Sequence, residues 1–473
     1  MLKLKNHIIY LLALSLAMVS CSGGEVIENP DANNNKLSNF VFKKADNSNL
    51  LSNASGVSYD ELIYITVPEG VDLTSLTPSF TVGQGVTVTI NGQPVDPSVT
   101  KCDFSNVCKI VVTPESGRSK TYTLLARNGN AEIDNKVYSF MLKHSIPGTS
   151  VAISKDESIV YKAGYGFAVV ETEQRATPQT LFRLASMSKQ QTALAIMALY
   201  EKGLLTIDDK VFGKGGILEE EFGTDIQPSV EGVTVKHLLQ HTAGWDVDPI
   251  YTSATTTLEQ RITDMIKNTP QKYPVGTTFD YSNFGFCVLG KIIETLSGKD
   301  YETFLKEEVH SKAGISNIFV GKNKLVERRS NECAYYGQDG KNAYGNDVVL
   351  SKAAGGMIAS TEELMTLMSY IDYGTKVPDM FKKETLDMMY KPAENVKDTD
   401  GTPYPKYALG WRTEYPNYPN WEAFHGGTLA GVATIWARGD KGVNGVILCN
   451  SRSYNLSIDT DLWRMLESFQ AMF

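Results

Sequence analysis

Two residues three positions apart, Ser186 and Lys189, have the types and spacing needed for nucleophilic catalysis. They come directly before an apolar segment, 192–200, which predicts a helix that is buried on most of its surface and ends near Gly203. If that helix begins near Ser186, the two side chains share one face of its first turn. A lysine in an apolar setting has its charged form disfavoured, so it can accept the proton of a serine hydroxyl. The spacing therefore suggests an activated serine, although Ser-x-x-Lys alone is a common pattern.

Two further short motifs supply groups that such a serine would need. Tyr281-Ser282-Asn283 provides a phenol, whose ionised form a nearby lysine favours, and an amide that can orient the lysine or a substrate. His425-Gly426-Gly427 leads into a predicted strand, where paired glycines let a second backbone approach closely. The ordered set predicts a nucleophilic serine with its substrate lying along a strand edge.

From about Ala131 to Phe473 the chain resembles the serine β-lactamase-related family, in its class C and penicillin-binding-protein branch. The resemblance rests on Ser186-Met187-Ser188-Lys189 and on the two motifs just described. Four supporting stretches also resemble the family: 182–185, 237–244, 354–357 and 409–411. It implies an α+β domain in which an antiparallel sheet is flanked by helices and joined to an all-helical region.

The resemblance also implies roles for individual residues. Ser186 would attack a carbonyl group and form an acyl-enzyme, while Lys189 and Tyr281 share the proton transfers. Asn283, His425, Gly427 and Thr428 would bind substrate, and the backbone N–H groups of Ser186 and Thr428 would form the oxyanion hole. The resemblance implies no metal and no organic cofactor.

His425 departs from the family pattern, because β-lactamases of this branch carry Lys-Thr-Gly at this point. A lysine would hold a fixed charge for a substrate carboxylate, whereas histidine is largely neutral near pH 7. We therefore expect an exported hydrolase of the esterase, D-aminopeptidase or D,D-peptidase type, with at most weak β-lactamase activity. The alternative from another class is a catalytically silent protein that binds cell-wall peptides or a partner in the same pocket.

The 473-residue chain has a formal net charge of −9 and no basic stripe, which argues against nucleic acid as a partner. At its start, Lys3 and Lys5 precede an apolar run, 8–19, of signal-peptide length. The run ends in Ala17-Met18-Val19-Ser20-Cys21, which resembles a bacterial lipoprotein lipobox. This resemblance implies cleavage before Cys21, a lipid on its thiol and a membrane-anchored protein of the cell envelope; an ordinary secretory signal is the alternative.

The sequence predicts four segments along the chain: a signal peptide at 1–20, a tether at 21–36, a β-sandwich at 37–128 and the hydrolase domain at 129–473. Alternating apolar residues and turn motifs, among them Asn91-Gly92, indicate the sandwich. It resembles the immunoglobulin-like modules of bacterial surface lipoproteins, and a spacer is favoured over a recognition module because all five tryptophans lie beyond residue 240. Predicted strands at both ends of the hydrolase domain are expected to complete one sheet around a helical middle; they are 149–154, 159–163, 431–437 and 445–450.

Several residues have simpler interpretations. His237 and His241 have the spacing of two zinc ligands on a helix, but no His-Glu-x-x-His pattern accompanies them, so a structural role is favoured. Trp245 and Trp411 have equal claims to line the cleft or to pack in the core. Cys102 and Cys108 flank a short turn and have a spacing compatible with a disulfide in an oxidising compartment.

Overall fold

The computed structural model describes residues 34–252, 255–404, 406–413, 418–454 and 457–473. Two compact units divide the chain between Ser145 and Ile146. The predicted signal peptide, Cys21 and the tether up to residue 33 lie outside the described residues. Within the described ranges, no helix has the length and apolar character needed to cross a membrane.

The first unit contains two sheets that share one apolar core. A three-stranded sheet has the order β2-β1-β5, and a six-stranded sheet has the order β3-β4-β9-β8-β6-β7. Phe42 of one sheet and Ile65, Ile110 and Leu124 of the other meet in this core. The strands are β1 Ser38–Phe42, β2 Ala54–Ser55, β3 Val57–Tyr59, β4 Leu62–Val67, β5 Ser79–Thr81, β6 Thr87–Ile90, β7 Gln93–Pro94, β8 Cys108–Thr113 and β9 Lys120–Asn128.

The alternating pattern predicted these strands because one face of each is buried. Along β8 every second residue is buried, from Cys108 to Val112. Asn91 and Gly92 join β6 to β7 with φ angles of 50° and 81°. Two positive φ angles are what a two-residue hairpin turn requires, and asparagine and glycine adopt them at the lowest cost. The all-β character of this region is thus confirmed, whereas the immunoglobulin-like resemblance stays a prediction.

The helix α1, Ala131–His144, belongs to the same unit. Asn130 caps it by accepting hydrogen bonds from the backbone N–H groups of the first turn. Its inner face packs on β4, where the rings of Tyr64 and Tyr138 stack 4.7 Å apart and Thr66 donates to Asp134 over 2.8 Å. The helix was assigned from sequence to the hydrolase domain, and the domain boundaries remain a prediction.

The second unit is built on a six-stranded antiparallel sheet with the order β12-β11-β10-β18-β17-β16. β10 pairs with β18 along its length, with Val151 opposite Ile447. The expectation that strands from both ends of this region form one sheet is therefore confirmed. A small sheet has the order β13-β15-β14. The strands are β10 Gly148–Lys155, β11 Ser158–Val169, β12 Gln174–Arg175, β13 Phe182–Arg183, β14 Phe319–Val320, β15 Met357–Ala359, β16 Trp421–Leu429, β17 Val432–Gly439 and β18 Val443–Cys449.

Ten α-helices of the described chain accompany these sheets. They are α2 Ser188–Glu201, α3 Glu219–Phe222, α4 Val235–Leu239, α5 Leu258–Asn268, α6 Asn283–Ser297, α7 Tyr301–Glu308, α8 Lys352–Gly355, α9 Thr361–Met368, α10 Lys383–Tyr390 and α11 Ile458–Gln470. From Ser188 to Leu199 every residue of α2 is buried, and the helix ends as predicted, with Gly203 at a φ of 68°. α2 therefore forms the centre of the helical region and supports the residues at its own N-terminus.

Candidate active site

Ser186 lies in a 3₁₀ turn, Ala185–Met187, immediately before α2. The turn is held from both sides: Leu184 donates its N–H to Met357 over 2.9 Å and accepts a hydrogen bond from Thr434 Oγ1 over 2.9 Å. Ala185 has a φ of 49°, an uncommon conformation for a residue with a Cβ. Because surrounding strands fix this turn, the half-buried Ser186 hydroxyl is presented from a defined backbone.

Lys189 is completely buried one turn further along. Its Nζ donates to Asn283 Oδ1 over 2.7 Å and to the carbonyl oxygen of Ala354 over 2.8 Å. Both acceptors are neutral, and no carboxylate pairs with this lysine within the described ranges. Two of the hydrogen-bond positions of Nζ are therefore used by neutral oxygens, and the third stays free towards Ser186 and Tyr281.

Tyr281 and Asn283 are positioned by the start of α6, where Ser282 caps the helix through the N–H of Gly285. The Tyr281 ring lies between two cations, with Lys189 Nζ 4.7 Å and Arg412 Cζ 5.7 Å from its centroid. Its Oη is buried and has no hydrogen-bond partner among the described residues. A phenol between two cations is well placed to carry negative charge transiently during proton transfer.

His425 lies on β16 and is almost completely buried. Its Nδ1 is 2.7 Å from the carbonyl oxygen of Gly426, and its Nε2 is 3.0 Å from the hydroxyl of Tyr407. A carbonyl oxygen only accepts, so Nδ1 carries the proton and Nε2 accepts from Tyr407. Burial, together with the nearby charges of Arg412 and Lys189, holds the pKa of His425 well below its usual value. This histidine is therefore neutral and supplies no fixed positive charge.

His241 also belongs to this cluster, and it has no zinc-like arrangement with His237. α4 ends at Leu239, and His241 has a φ of 58°, so the two histidines do not share a helical face. His237 accepts in the capping box of α4, while His241 Nδ1 accepts from the N–H of Ser282 over 3.0 Å. Burial and the charge of Lys189 hold the pKa of His241 well below its usual value. His241 packs 4.4 Å from the Tyr281 ring and fixes the loop that carries it.

β16 passes directly beside the turn that carries Ser186. A Cβ added to Gly427 would lie 2.2 Å from the carbonyl oxygen of Leu184 and 2.2 Å from Thr434 Oγ1. The glycine thus permits an approach within the chain itself, in addition to the predicted approach of a substrate. Thr428 follows at an exposed position of the strand, which brings the two predicted oxyanion donors, Ser186 and Thr428, to neighbouring elements.

Arg412 and Asp248 also contact this cluster, and neither was predicted from the sequence. Arg412 follows the family-like stretch 409–411, and its backbone pairs with Phe424 through hydrogen bonds of 2.8 and 2.9 Å. Asp248 accepts from the N–H groups of Asn283 and Ile250. The position of Arg412 next to that stretch was the available indication, since it is the charged residue directly after an apolar motif.

The two tryptophans near the site and the cysteines of the described chain have no role in this cluster of residues. Trp411 is fully buried 5.4 Å from Trp436, and Trp245 donates to the carbonyl oxygen of Thr269, so both pack in the core. The five cysteines from Cys102 onward are free thiols, so the structure has no Cys102–Cys108 disulfide. No group of three potential metal-binding side chains occurs in the described part of the chain.

The fold and this arrangement of residues define a transpeptidase-like serine hydrolase fold, and comparison with known proteins agrees. Residues 133–468 match the Beta-lactamase family, and the chain belongs to that family. Residues 52–125 match the N-terminal domain described as SGBP, N-terminal, which lies within the strand-rich first unit.

Three similar proteins illustrate the relationship. Protein flp of Staphylococcus aureus (strain N315) is 26% identical over 338 residues, which cover 69% of this chain and 64% of that protein. The D-alanine carboxypeptidase AmpC from Burkholderia cenocepacia is 19% identical with a TM-score of 0.57, covering 72% of this chain and 100% of that one. The D-amino acid amidase from Ochrobactrum anthropi SV3, complexed with D-phenylalanine, is 21% identical with a TM-score of 0.56, covering 72% of this chain and 100% of that one. The chain thus spans a little under two thirds of the length of the curated relative. The two solved structures have the same fold as this chain.

Proposed function

We propose that this protein is a serine hydrolase that forms an acyl-enzyme on Ser186 with ester, amide or D-amino acid peptide substrates. The observation that carries the proposal is the position of Lys189, which is buried one turn after Ser186 and held by two neutral oxygens. Such a lysine has no structural ion pair to maintain, and its remaining valence is available for proton transfer. The names of the similar proteins, a carboxypeptidase and an amidase, support the same substrate classes.

In the proposed reaction, Ser186 Oγ forms a bond to the substrate carbonyl carbon and gives its proton to Lys189 or Tyr281. The carbonyl oxygen becomes negatively charged and accepts from the N–H groups of Ser186 and Thr428. The bond to the leaving group then breaks, and the leaving oxygen or nitrogen takes the proton from the same pair. Water repeats the sequence on the acyl-enzyme, which releases the acid and restores the serine.

The test is the intact mass of the purified protein after exposure to a fluorophosphonate. The expected result is one adduct on the native wild type and none on Ser186→Ala. Ser188→Ala is a matched control, because Ser188 is a buried neighbour whose hydroxyl accepts from the N–H of Met357. A folded wild type that stays unlabelled would contradict the hydrolase proposal and favour the silent binding protein instead.

We also propose that the protein is exported and anchored by a lipid on Cys21, facing the periplasm or the cell surface. This proposal rests on the sequence before residue 22. Metabolic labelling with a radioactive fatty acid in a bacterial host tests it, with Cys21→Ser as the control. Incorporation by the wild type alone supports the anchor, and equal incorporation by both proteins contradicts attachment at this residue.

A further inference from the structure

The strand β16 lies at the edge of its sheet and contains two consecutive glycines, Gly426 and Gly427. It pairs with β17 on one side, and on the other side Phe424 exchanges two backbone hydrogen bonds with Arg412. Alternate residues of an antiparallel strand face the same edge, so Gly426 and Thr428 also face this outer side. No backbone hydrogen bond of the described chain reaches them there. Because glycine is the most flexible residue, this part of the edge needs another contact to fix it.

The side chain of His425 supplies such a contact. Its Nδ1 donates to the carbonyl oxygen of Gly426 over 2.7 Å. The ring is buried, and burial together with the charges of Arg412 and Lys189 holds the pKa of His425 well below its usual value. The neutral imidazole has a single proton, which must lie on Nδ1 for this hydrogen bond to form. The orientation of one ring therefore decides whether the carbonyl group of Gly426 is held.

Tyr407 holds the other end of this ring. Its buried hydroxyl lies 3.0 Å from His425 Nε2 and has no second hydrogen-bond partner among the described residues. The backbone of Tyr407 bridges to Arg412, which in turn pairs with β16, so the hydroxyl is presented from a fixed position. A buried acceptor without a donor is costly, so without this hydroxyl the ring would turn towards another donor. Turning the ring would release the carbonyl group of Gly426.

The held carbonyl group lies two residues before Thr428, whose N–H is a predicted oxyanion donor. Between them, Gly427 packs against the turn of Ser186, where an added Cβ would lie 2.2 Å from the carbonyl oxygen of Leu184. An oxyanion donor must lie about 3 Å from the oxyanion to be effective. Rotation of the peptide group between the two glycines would therefore redirect the N–H of Thr428 and weaken this contact.

We propose that Tyr407 is a positioning residue of the hydrolase, which acts through His425 on the carbonyl group of Gly426. Holding this carbonyl group keeps the N–H of Thr428 directed at the substrate oxyanion. This inference rests on the proposed function. It gives His425 an indirect role, because both of its ring nitrogens are hydrogen-bonded within the protein and neither is left for a substrate.

The first test is the nitrogen NMR spectrum of the imidazole groups in protein that is isotope-labelled at its histidines. In the wild type, His425 should have its proton on Nδ1 and a hydrogen-bonded acceptor at Nε2. His241 should show the reverse, because its Nδ1 accepts from the N–H of Ser282. His425→Gln assigns the signals, since those of His425 are absent from this variant. In Tyr407→Phe the Nε2 signal should move to the position of an acceptor without this hydrogen bond. A wild type with the proton of His425 on Nε2 overturns the inference.

The second test is the rate of fluorophosphonate labelling of Ser186 over a range of probe concentrations, which separates the maximal rate from the binding constant. Tyr407→Phe should lower the maximal rate roughly tenfold, less than the hundredfold or more that loss of an oxyanion donor costs. The binding constant should not change. Tyr390→Phe is the matched control, because the buried Tyr390 hydroxyl donates to the carbonyl oxygen of Ile371 over 2.9 Å, away from His425. This control should lose some stability and label at the wild-type maximal rate.

A double-mutant cycle tests whether Tyr407 acts through His425. His425→Ala removes the ring, so adding Tyr407→Phe should lower the maximal rate no further. His425→Gln should label faster than His425→Ala, because its amide can accept from Tyr407 and donate to the carbonyl oxygen of Gly426. Independent effects of the two single substitutions overturn the inference, and so does a Tyr407→Phe variant that labels at the wild-type rate. If Tyr407→Phe does not fold, the position of the His425 proton in the wild type decides.

Fluorophosphonate labelling separates this inference from the proposed function. If the wild type and Tyr407→Phe are labelled on Ser186 equally fast, the hydrolase function is retained and only the role of Tyr407 is lost. If the folded wild type is not labelled at all, the proposed function itself is lost, whatever the position of the His425 proton.

Discussion

Lys189 and Asn283 are joined by a 2.7 Å hydrogen bond from Nζ to Oδ1 that links the start of α2 to the start of α6. Asn283 is in turn held by Asp248, which accepts its backbone N–H. Lys189 is therefore oriented by a residue that is itself fixed. The hydrogen bond between Lys189 and Asn283 determines where the remaining free position of Nζ points. A polar contact between two helix starts thus sets the geometry of the proposed base.

Replacing Asn283 by Ala should slow acylation of Ser186 without unfolding the protein. The lysine would keep its bond to the carbonyl oxygen of Ala354 but lose one of its two orienting contacts. The rate of fluorophosphonate labelling should fall roughly tenfold to a hundredfold, as expected for one lost hydrogen bond to a charged group. Asn268→Ala, at an exposed position at the end of α5, should label at the wild-type rate. Unchanged labelling of Asn283→Ala would refute the orienting role.

Tyr281→Phe should separate catalysis from stability. The Tyr281 hydroxyl is buried without a hydrogen-bond partner in the described structure, so its removal relieves an unsatisfied group and should leave the melting temperature unchanged or higher. The labelling rate should nevertheless fall by about a hundredfold or more, the usual contribution of a general base or acid.

Tyr301→Phe is the control, because this variant should lose stability and keep its labelling rate. The Tyr301 hydroxyl lies 2.7 Å from Thr192 Oγ1 in the core, so its loss should cost about 1 kcal/mol and lower the melting temperature by a few degrees. Labelling of this variant should stay near the wild-type rate. If Tyr281→Phe loses stability and keeps its labelling rate, Tyr281 has a structural role instead.

Much of this site could be predicted from sequence because its motifs are local. Ser186 and Lys189 share one helix start, and the N-cap of α6 positions Tyr281 and Asn283 within three residues. The hairpin at Asn91-Gly92 followed from turn chemistry in the same way. In each case the residues that determine the conformation are neighbours in the chain.

The contribution of Arg412 could not be predicted, because it depends on pairing between separate segments. Its place beside His425 arises from the bridge to Phe424, and no periodic pattern in the sequence specifies that bridge. The neutral state of His425 was expected from its ordinary pKa, but its partners, Tyr407 and the carbonyl oxygen of Gly426, appear only in the folded chain. The packing of α1 on β4 is likewise a tertiary contact that a helical pattern does not reveal.

Gly427→Ala should disrupt the site by moving β16 away from the turn of Ser186. The new Cβ would lie 2.2 Å from the carbonyl oxygen of Leu184, a backbone atom held on both sides. The strand or the turn must shift, and we expect labelling to fall by roughly a hundredfold through loss of the oxyanion geometry. Gly426→Ala is the matched control for stability, since a Cβ there would meet only the carbonyl oxygen of Thr434 at 3.6 Å. Equal melting temperatures and labelling rates in the two variants would contradict the close approach.

The buried histidines should make the folded protein less stable as the pH falls below about 6.5. Burial holds the pKa values of His241 and His425 well below their usual value in the folded state, and the cation Arg412 acts in the same direction on both. Below the unfolded-state pKa of about 6.5, the unfolded chain therefore binds protons that the folded chain does not. Unfolding free energy then falls with pH by up to about 1.4 kcal/mol per pH unit for each such histidine.

Urea-unfolding midpoints between about pH 7.5 and pH 5 measure this slope, which covers the window from the unfolded-state pKa of histidine downward. In His425→Gln one titrating group is absent, and the amide can still accept from Tyr407 and donate to the carbonyl oxygen of Gly426. The slope of this variant should be smaller than that of the wild type by up to one proton. A variant whose slope equals that of the wild type would contradict the neutral state of His425 in the folded protein.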